Sequence, residues 1–204
     1  MIIGFVGIEG SGKDTATDYM CNKYGFKADS FAYAVKDVCS SVFGWDRELL
    51  EGKTPESRKW RETLDDWWSN ELMIENFTPR MAMRVIGTDV FRNNFNQNIW
   101  ISSLKRRLLY NNDNNIIISD LRFENEIRFV MSIGKVYLID RRNDPEWLLY
   151  AKGLKNIHSM ATLRPDIHQS NWDWLKIPNL PVIENVGTIG DLYQNIDNVF
   201  EKLL

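Results

Sequence analysis

A glycine-rich run near the start of the chain holds the residue types best suited to chemistry. The pattern G-x-x-x-x-G-K extends from Gly7 to Lys13, after an apolar run and before a stretch with helical character. A buried strand, a glycine turn and a helix N-terminus in this order direct several backbone N–H groups at one point, which favours phosphate binding. Lys13 can then place its charge against the terminal phosphates of a nucleotide. The run predicts a phosphate-binding loop in preference to a turn that binds nothing.

The residues that follow Lys13 bear on a metal ion. Phosphate-binding loops of this pattern usually have Ser or Thr directly after the lysine as a Mg²⁺ ligand, whereas here Asp14 stands there and Thr15 follows. Asp120, just after an apolar run later in the chain, supplies a third oxygen ligand of the kind that Mg²⁺ prefers. The sequence thus offers Asp14, Thr15 and Asp120 as metal ligands without choosing among them.

The loop needs a sheet behind it, and the order of the elements predicts one. Short β-rich runs alternate with helical stretches, which indicates an α/β fold with a parallel sheet. The predicted strands cover residues 2–6, 28–31, 116–118, 136–139 and 181–184. The predicted helices cover residues 15–23, 34–43, 80–86, 89–95, 100–110 and 124–132. Gly87-Thr88-Asp89 is expected to end one helix and to begin the next.

Charged side chains follow two of the predicted strands. Asp120 and Arg122 come at the end of the third strand, and Arg142 comes at the end of the fourth. Because the carboxyl ends of parallel strands meet at one edge of a sheet, these groups should lie near the glycine loop. Cations there can neutralise charge on a phosphoryl group in transfer, and an acid can hold magnesium or substrate. We therefore assign catalytic roles to Asp120, Arg142 and Lys13, and a substrate contact to Arg122.

A second group of polar residues lies in the middle of the chain. Asp89 and Arg92 are three residues apart, so that in a helix their carboxylate and guanidinium would be one turn apart. Arg92 can hold a substrate phosphate through two hydrogen bonds, and Asp89 can accept hydrogen bonds from a base or sugar. The alternative is a helix cap with a surface ion pair. Lys36 and Arg80 are further candidates for phosphate contacts, and Trp100 is the one tryptophan that we expect near the substrate.

Length and composition limit the classes of protein. The chain has 204 residues, 44% of them hydrophobic, and a net charge of −3. The acidic balance argues against a protein that coats nucleic acid, which needs an excess of Lys and Arg. Two cysteines without metal or redox spacing favour a reducing compartment, and no apolar run is long enough to span a membrane. We expect a cytoplasmic protein with small-molecule ligands and no nucleic-acid or membrane partner. Monomer and homodimer both stay open.

The order of these motifs resembles that of the bacteriophage deoxynucleoside monophosphate kinases, a branch of the P-loop kinases. The segments that carry the resemblance are Ser11-Gly12-Lys13-Asp14-Thr15, Ala34-Val35-Lys36-Asp37 with Gly44, Glu51-Gly52 before Arg58, Gly87-Thr88-Asp89 with Asn93-Asn94-Phe95 and Trp100, Asp120-Leu121-Arg122 with Glu126, Arg142, His168, and Asn185-Val186-Gly187-Thr188. That family also has an Asp after the lysine of the loop, so Asp14 departs from the general pattern and not from the family's.

The resemblance implies transfer of the γ-phosphoryl group of ATP to a deoxynucleoside 5′-monophosphate, with Mg²⁺. It also implies a three-layer P-loop NTPase fold in a single domain of residues 1–204, with a helical substrate-binding insertion at about 45–98 and a lid at about 141–178. The residues expected to contact ATP are Gly7, Gly10, Ser11, Gly12, Lys13, Asp14 and Thr15 at its phosphates, and Asn185 and Gly187 near its adenine. Asn171 stands where relatives can have a Glu three residues after the lid histidine.

Three other functions fit the same motifs less well. A kinase that acts on another small molecule, such as dephospho-coenzyme A, would share the loop, the strand ending in Asp and the lid. A protein that binds ATP without catalysis could use the tryptophan-rich segment 45–78 to contact another protein. An ATPase that binds nucleic acid is disfavoured because the chain has no basic stripe.

Overall fold

The structure is a computed structural model that describes residues 1–110, 113 and 115–201. The chain divides into two compact units. Residues 1–30 and 111–204 form the first, which we call the sheet unit, and residues 31–110 form the second, the helical unit. The predicted substrate-binding insertion, about 45–98, lies inside the helical unit. Among the described residues, no helix combines the length and the apolar character that a membrane crossing requires.

The sheet unit is built on five parallel strands. They are β1 (Ile2–Val6), β2 (Lys27–Asp29), β3 (Ile116–Leu121), β4 (Lys135–Asp140) and β5 (Val182–Glu184), arranged in the order β2-β3-β1-β4-β5. In the central strand β1, Ile2 pairs with Ile116 on one side and Ile3 pairs with Lys135 on the other. The predicted parallel sheet is confirmed. β3 extends three residues past its predicted end, so Asp120 lies within the strand and not after it.

Helices cover both faces of this sheet. Ile3 and Phe5 point into a core with α1 (Lys13–Tyr24) and α11 (Ile189–Phe200). Successive strand residues face opposite ways, and a Cβ on Gly4 would meet Val130 of α8 (Glu124–Ile133) at 3.0 Å, which assigns α8 to the other face. The result is a three-layer α/β unit. Both flanks are apolar, which explains the continuous hydrophobic runs in β1 and β3.

Residues 141–178 contain short helices with a small core of their own. They include α9 (Glu146–Gly153), α10 (Met160–Leu163) and three 3₁₀ turns at Ile157–Ser159, Gln169–Asn171 and Asp173–Lys176. Ala151, Met160 and Trp172 form their apolar centre. The Asp173 carboxylate, 3% exposed, accepts the N–H of Glu124 at 2.7 Å and so caps α8. Closure of this segment as a lid stays a prediction.

The helical unit consists of short helices around an aromatic cluster. Its helices are α2 (Ala32–Phe43), α3 (Arg47–Glu51), α4 (Pro55–Glu62), α5 (Asp66–Leu72), α6 (Pro79–Arg84) and α7 (Ile99–Tyr110). The rings of Phe43, Trp45, Trp60, Trp68 and Phe77 pack on one another in this cluster. The Trp45 indole donates to Asp65 Oδ2 at 2.8 Å and the Trp68 indole donates to the Phe43 carbonyl at 3.1 Å, so both polar tips are satisfied.

A π-helical segment, Val85–Asn93, follows α6 without a break. The expected separation of two helices at Gly87-Thr88-Asp89 is therefore wrong. In a π-helix the backbone bonds join residues five apart, which rotates later side chains relative to an α-helix. Thr88 and Arg92 are buried in this segment, while Asp89 is exposed. Because the segment is π-helical, Asp89 and Arg92 are not one α-helical turn apart as predicted, and only Arg92 is buried.

Candidate active site

The glycine loop joins the carboxyl end of β1 to the first residue of α1. Three of its glycines have backbone conformations that other residues rarely adopt, with φ of +148° at Gly7, +78° at Gly10 and +102° at Gly12. A Cβ on Gly7 would lie 2.7 Å from the Ile139 carbonyl, and a Cβ on Gly12 would lie 2.3 Å from Asn185 Nδ2. Glycine is therefore required at both positions, because the loop packs directly against the ends of neighbouring strands.

Lys13 is buried at the centre of this loop. Its side chain bends back over the loop, and Nζ donates to the Gly7 carbonyl at 2.9 Å and to the Ile8 carbonyl at 2.8 Å. The pKa of Lys13 is lowered to about 8, chiefly by burial and then by the nearby Arg122 charge, while the charges of Asp14, Glu9 and Asp120 oppose this shift. A group of opposite charge in this loop would restore the ordinary pKa. The loop is therefore electrostatically suited to an anion.

Ser11 carries an unsatisfied hydroxyl inside the loop. The residue is 1% exposed, and its Oγ has no hydrogen-bond partner within the described part of the chain. A buried hydroxyl without a partner costs about 1–3 kcal/mol. A phosphate oxygen would satisfy it, so the loop fits the phosphates of a nucleotide.

Two loop carbonyls are held by side chains from other strand ends. Asn185, after β5, donates from Nδ2 to the Ser11 carbonyl at 2.8 Å. Arg141, after β4, donates from Nη1 to the Gly10 carbonyl at 3.3 Å. Arg141 was not among the sequence candidates for the site. Arg141 and Arg142 are neighbours at the same strand end, so the sequence alone does not show which of the two contacts the loop.

Arg142 points away from the loop carbonyls. It adopts φ of +52°, unusual for a residue other than glycine, and its N–H donates to Asp140 Oδ1 at 2.9 Å. Its guanidinium pairs with the Glu184 carboxylate, and 64% of the Arg142 side chain is exposed. Its proposed contact with a transferring phosphoryl group would require this exposed pair to open.

Oxygen donors for a metal ion surround the loop. Asp14 lies in the first turn of α1, Thr15 follows it, and the charge of Asp120 acts on Lys13. No group of three or more His, Cys, Asp or Glu side chains that could hold a metal occurs within the described ranges. Mg²⁺ at a nucleotide needs only one or two protein oxygens, since phosphates and water complete its shell. The donor set therefore fits a nucleotide-bound Mg²⁺.

The remaining candidates of the sheet unit lie at the starts of helices. The backbone N–H of Arg122 donates to Glu126 Oε2 at 3.0 Å in the capping turn of α8. Gly187 directly precedes Thr188, the N-cap residue of α11, whose hydroxyl accepts the N–H of Asp191 at 3.3 Å. Arg122 is close enough to Lys13 to influence its pKa, whereas Gly187 is exposed.

In the helical unit, Lys36 is the buried member of a charge network. Its Nζ lies 2.6 Å from Glu51 Oε2, and Arg47 pairs with both Glu51 and Asp37. Burial alone would raise the pKa of Glu51, but the hydrogen bonds and charges of Lys36 and Arg47 lower it below its usual range. Glu51 is the carboxylate that joins Lys36 to Arg47. The sequence indicated Glu51 only through the family resemblance.

Arg92 and Trp100 are packed into the helical unit. Arg92 is 6% exposed and its Nη1 donates to the Gln97 carbonyl at 3.2 Å. Trp100 is 5% exposed, contacts the Phe91 ring, and donates from Nε1 to the Gly87 carbonyl at 2.7 Å. Trp100 therefore supports the π-helical segment that carries Arg92. Arg80 pairs with Glu62.

Comparison with known proteins shows to which family the chain is related. A family model for deoxynucleotide monophosphate kinase matches residues 50–146, which include the helical-unit candidates Arg80, Asp89, Arg92 and Trp100 but not the glycine loop. A protein of Acanthamoeba polyphaga mimivirus, named a putative deoxynucleotide monophosphate kinase, is 33% identical over 150 residues, 68% of this chain and 72% of the viral protein. The relative is viral, and kinship with bacteriophage proteins in particular is not shown.

A solved structure shares the fold. Dephospho-CoA kinase from Campylobacter jejuni matches 99% of this chain and 96% of its own with a TM-score of 0.51 and 17% identity. This likeness extends to the fold alone. The family match and the viral relative identify a nucleotide kinase of the P-loop type. The chain belongs to the deoxynucleotide monophosphate kinase family.

Proposed function

We propose that this chain transfers the γ-phosphoryl group of ATP to a deoxynucleoside 5′-monophosphate, with ADP and the deoxynucleoside diphosphate as products. The observation that carries the proposal is the loop of the sheet unit, where a buried lysine and an unsatisfied buried hydroxyl stand among backbone N–H groups. The family match over residues 50–146 supports the choice of acceptor.

The residues at the donor end bind phosphates and neutralise their charge. The backbone from Gly10 to Thr15 supplies N–H donors at the start of α1, and Ser11 Oγ gains the acceptor that it lacks. Lys13 exchanges its two carbonyl partners for phosphate oxygens, which compensates the cost of burying its charge. Asp14, Thr15 and Asp120 would hold Mg²⁺, which when bound withdraws charge from the β- and γ-phosphate oxygens.

The reaction requires positioning more than proton transfer. A phosphate oxygen of the acceptor forms a bond to the γ-phosphorus, while the bond from that phosphorus to the β–γ bridging oxygen breaks and leaves ADP. The acceptor phosphate is already ionised at neutral pH, so no histidine or other general base is needed. Alignment of the two phosphates and neutralisation of their charges can each contribute several kcal/mol.

Arg92 is the residue that we assign to the acceptor phosphate. Its planar guanidinium can donate two parallel hydrogen bonds to a phosphate. Burial at 6% exposure fixes that group within the helical unit before the substrate arrives. Lys36 and Arg122 are proposed as additional cations for the same phosphate, Asp89 and Arg80 as further substrate contacts, and Arg142 as a cation for the transferring group.

A panel of acceptors tests this function. ADP release would be measured in a coupled assay with ATP, Mg²⁺ and each common deoxynucleoside and ribonucleoside monophosphate, with dephospho-coenzyme A in a parallel series. We expect turnover with at least one deoxynucleoside monophosphate. Turnover with dephospho-coenzyme A alone would replace the proposal by the related small-molecule kinase. Binding of ATP without turnover on any acceptor would favour a non-catalytic module.

A further inference from the structure

We propose that Asn185 is a positioning residue that orients one peptide of the phosphate loop. The resemblance assigned Asn185 to the adenine of ATP, whereas its side chain bonds the loop itself, with Nδ2 2.8 Å from the Ser11 carbonyl. The inference deepens the proposed function and rests on it in one respect only, that the loop binds the phosphates of the donor.

The orientation of a single peptide decides which way an N–H group points. The Ser11 carbonyl and the Gly12 N–H belong to the same planar trans peptide, so they point in opposite directions. Because Asn185 holds the carbonyl on one side, the Gly12 N–H is turned toward the other. A flipped peptide would present a carbonyl oxygen to the phosphates in place of a donor. Gly12, with φ of +102°, has the backbone freedom to allow either orientation.

Asn185 is itself fixed by the sheet. Its backbone N–H donates to the Asp140 carbonyl at 2.8 Å, which joins the end of β5 to the end of β4. The residue is 9% exposed, and a Cβ on Gly12 would lie 2.3 Å from Nδ2, so no side chain can come between the amide and the loop. The amide therefore reaches the loop from a rigid strand end.

Asn185 can therefore change the affinity of the loop for phosphates without touching them itself. The apparent affinity of a ligand falls with the fraction of the protein in the binding-competent conformation. Loss of the amide donor removes the preference for one peptide orientation. Asn185→Asp has nearly the same shape, but its carboxylate repels the Ser11 carbonyl and attracts the Gly12 N–H. We therefore expect this variant to favour the flipped peptide and to bind phosphates more weakly than Asn185→Ala does.

Calorimetric titration with two ligands separates the positioning role from an adenine contact. ATP and inorganic tripolyphosphate would be titrated into the wild type, Asn185→Ala and Asn185→Asp. A positioning role predicts that both variants lose about tenfold or more in affinity for tripolyphosphate as well as for ATP. An adenine contact predicts weaker binding of ATP with unchanged binding of tripolyphosphate, and that result would overturn the inference.

A matched control comes from the same region. Asn195 of α11 donates from Nδ2 to the Glu184 carbonyl at 2.9 Å, at the end of β5 and not in the loop. Asn195→Asp should bind both ligands as the wild type does. If it weakened tripolyphosphate as much as Asn185→Asp did, general loosening of the β5 end would explain the effect and the inference would be wrong. Should Asn185→Asp fail to fold, Asn185→Ala keeps the test valid, because it adds no charge.

Failure of the proposed function gives a different pattern. If the wild type bound neither ATP nor tripolyphosphate, the loop would not be a phosphate site and both proposals would fall. If the wild type bound both ligands and the two Asn185 variants did so equally well, only the role of Asn185 would be wrong. Thermal denaturation of each variant, followed by circular dichroism, checks that the compared proteins are folded.

Discussion

At the scale of single residues, the charge of Lys13 favours phosphate binding but lowers the stability of the free protein. The residue is 8% exposed, and its pKa is lowered to about 8, chiefly by burial. A lowered pKa in the folded state means that a charged Lys13 destabilises the free protein at neutral pH relative to the unfolded chain. A bound polyphosphate compensates that cost with opposite charge. The residue is therefore better explained by a ligand than by the packing of the core.

Lys13→Met should separate these two effects. Methionine fills similar space without a charge, so the free energy of unfolding in urea should stay unchanged or rise. Phosphoryl transfer should fall by about 10²-fold or more, because the main cation of the loop is lost. Lys135→Met, at an exposed position at the start of β4, is the matched control and should keep full activity. Transfer at the wild-type rate by Lys13→Met would remove Lys13 from the site.

Arg92→Lys tests the acceptor side at the same scale. Lysine keeps the charge but loses the planar pair of donors, so the KM for the acceptor should rise about tenfold, with a smaller effect on the KM for ATP. Steady-state kinetics with each substrate varied in turn measures both values. Arg84→Lys, at an exposed position in the last turn of α6, should change neither. An unchanged acceptor KM would exclude Arg92 from acceptor binding.

At the scale of elements, the π-helical segment carries two buried polar side chains of the helical unit. They are Thr88 and Arg92, which lie four residues apart on its buried face. The carbonyl of Gly87 within it accepts the Trp100 indole N–H at 2.7 Å. Such segments are uncommon and frequently occur at functional sites. We therefore expect the bond from Trp100 to support both the stability of the segment and the position of Arg92.

Trp100→Phe removes the indole donor and keeps an aromatic ring in the core. The Gly87 carbonyl then loses a partner, and the free energy of unfolding should fall by about 1–3 kcal/mol. Chemical denaturation measures this change, and kinetics should show a raised acceptor KM. Trp67→Phe is the control, since Trp67 is 62% exposed and its loss should be nearly neutral. Equal stability of Trp100→Phe and the wild type would show that the bond does not stabilise the segment.

The contact between α1 and α11 predicts a dependence of stability on pH. Asp197 accepts hydrogen bonds from Lys23, Tyr24 and Tyr19. Burial alone would raise the pKa of Asp197, but these bonds outweigh it and lower the pKa below its unfolded value of 3.8. A carboxyl with a lowered folded-state pKa contributes stability above the unfolded pKa, and that contribution is lost as the pH falls through the folded-state value.

Asp197→Asn should therefore be less stable than the wild type at pH 7, by about 1–2 kcal/mol. The difference should shrink once the pH falls below about 4, where the Asp197 carboxyl of the unfolded wild type takes up a proton while that of the folded protein is still ionised. Urea denaturation of both proteins at a series of pH values measures it. A difference that stayed constant from pH 7 to pH 3 would contradict the assigned role of the charge.

The sequence predicts elements better than it predicts contacts between them. β1 and α8 have apolar patterns of their own, so their positions follow from local periodicity. The bonds from Arg141 and Asn185 to the loop join residues 131 and 174 positions apart, and no local pattern encodes such pairs. The π-helical segment was not predicted because it, too, depends on a contact that no local pattern shows. Gly87 resembles a helix end locally, and the partner of its carbonyl is thirteen residues further along the chain.

At the scale of the whole molecule, the general P-loop motif and the family match lie in largely different parts of the chain. The glycine loop of the sheet unit is the general device of P-loop proteins for phosphates. The family match begins at residue 50 and extends to residue 146, so it covers most of the helical unit together with β3 and β4. We infer that the choice of acceptor depends on residues in this matched range, while the loop supplies a function common to many kinases.

Following the γ-phosphate of ATP shows directly whether the chain transfers it to a deoxynucleoside monophosphate. The protein would be incubated with γ-³²P-labelled ATP, Mg²⁺ and an unlabelled deoxynucleoside monophosphate, and the products would be separated by chromatography. We expect label in the β-phosphate of the deoxynucleoside diphosphate, in equal amount to the ADP formed. Label released as inorganic phosphate, or retained in ATP with every deoxynucleoside monophosphate, would contradict the proposed function.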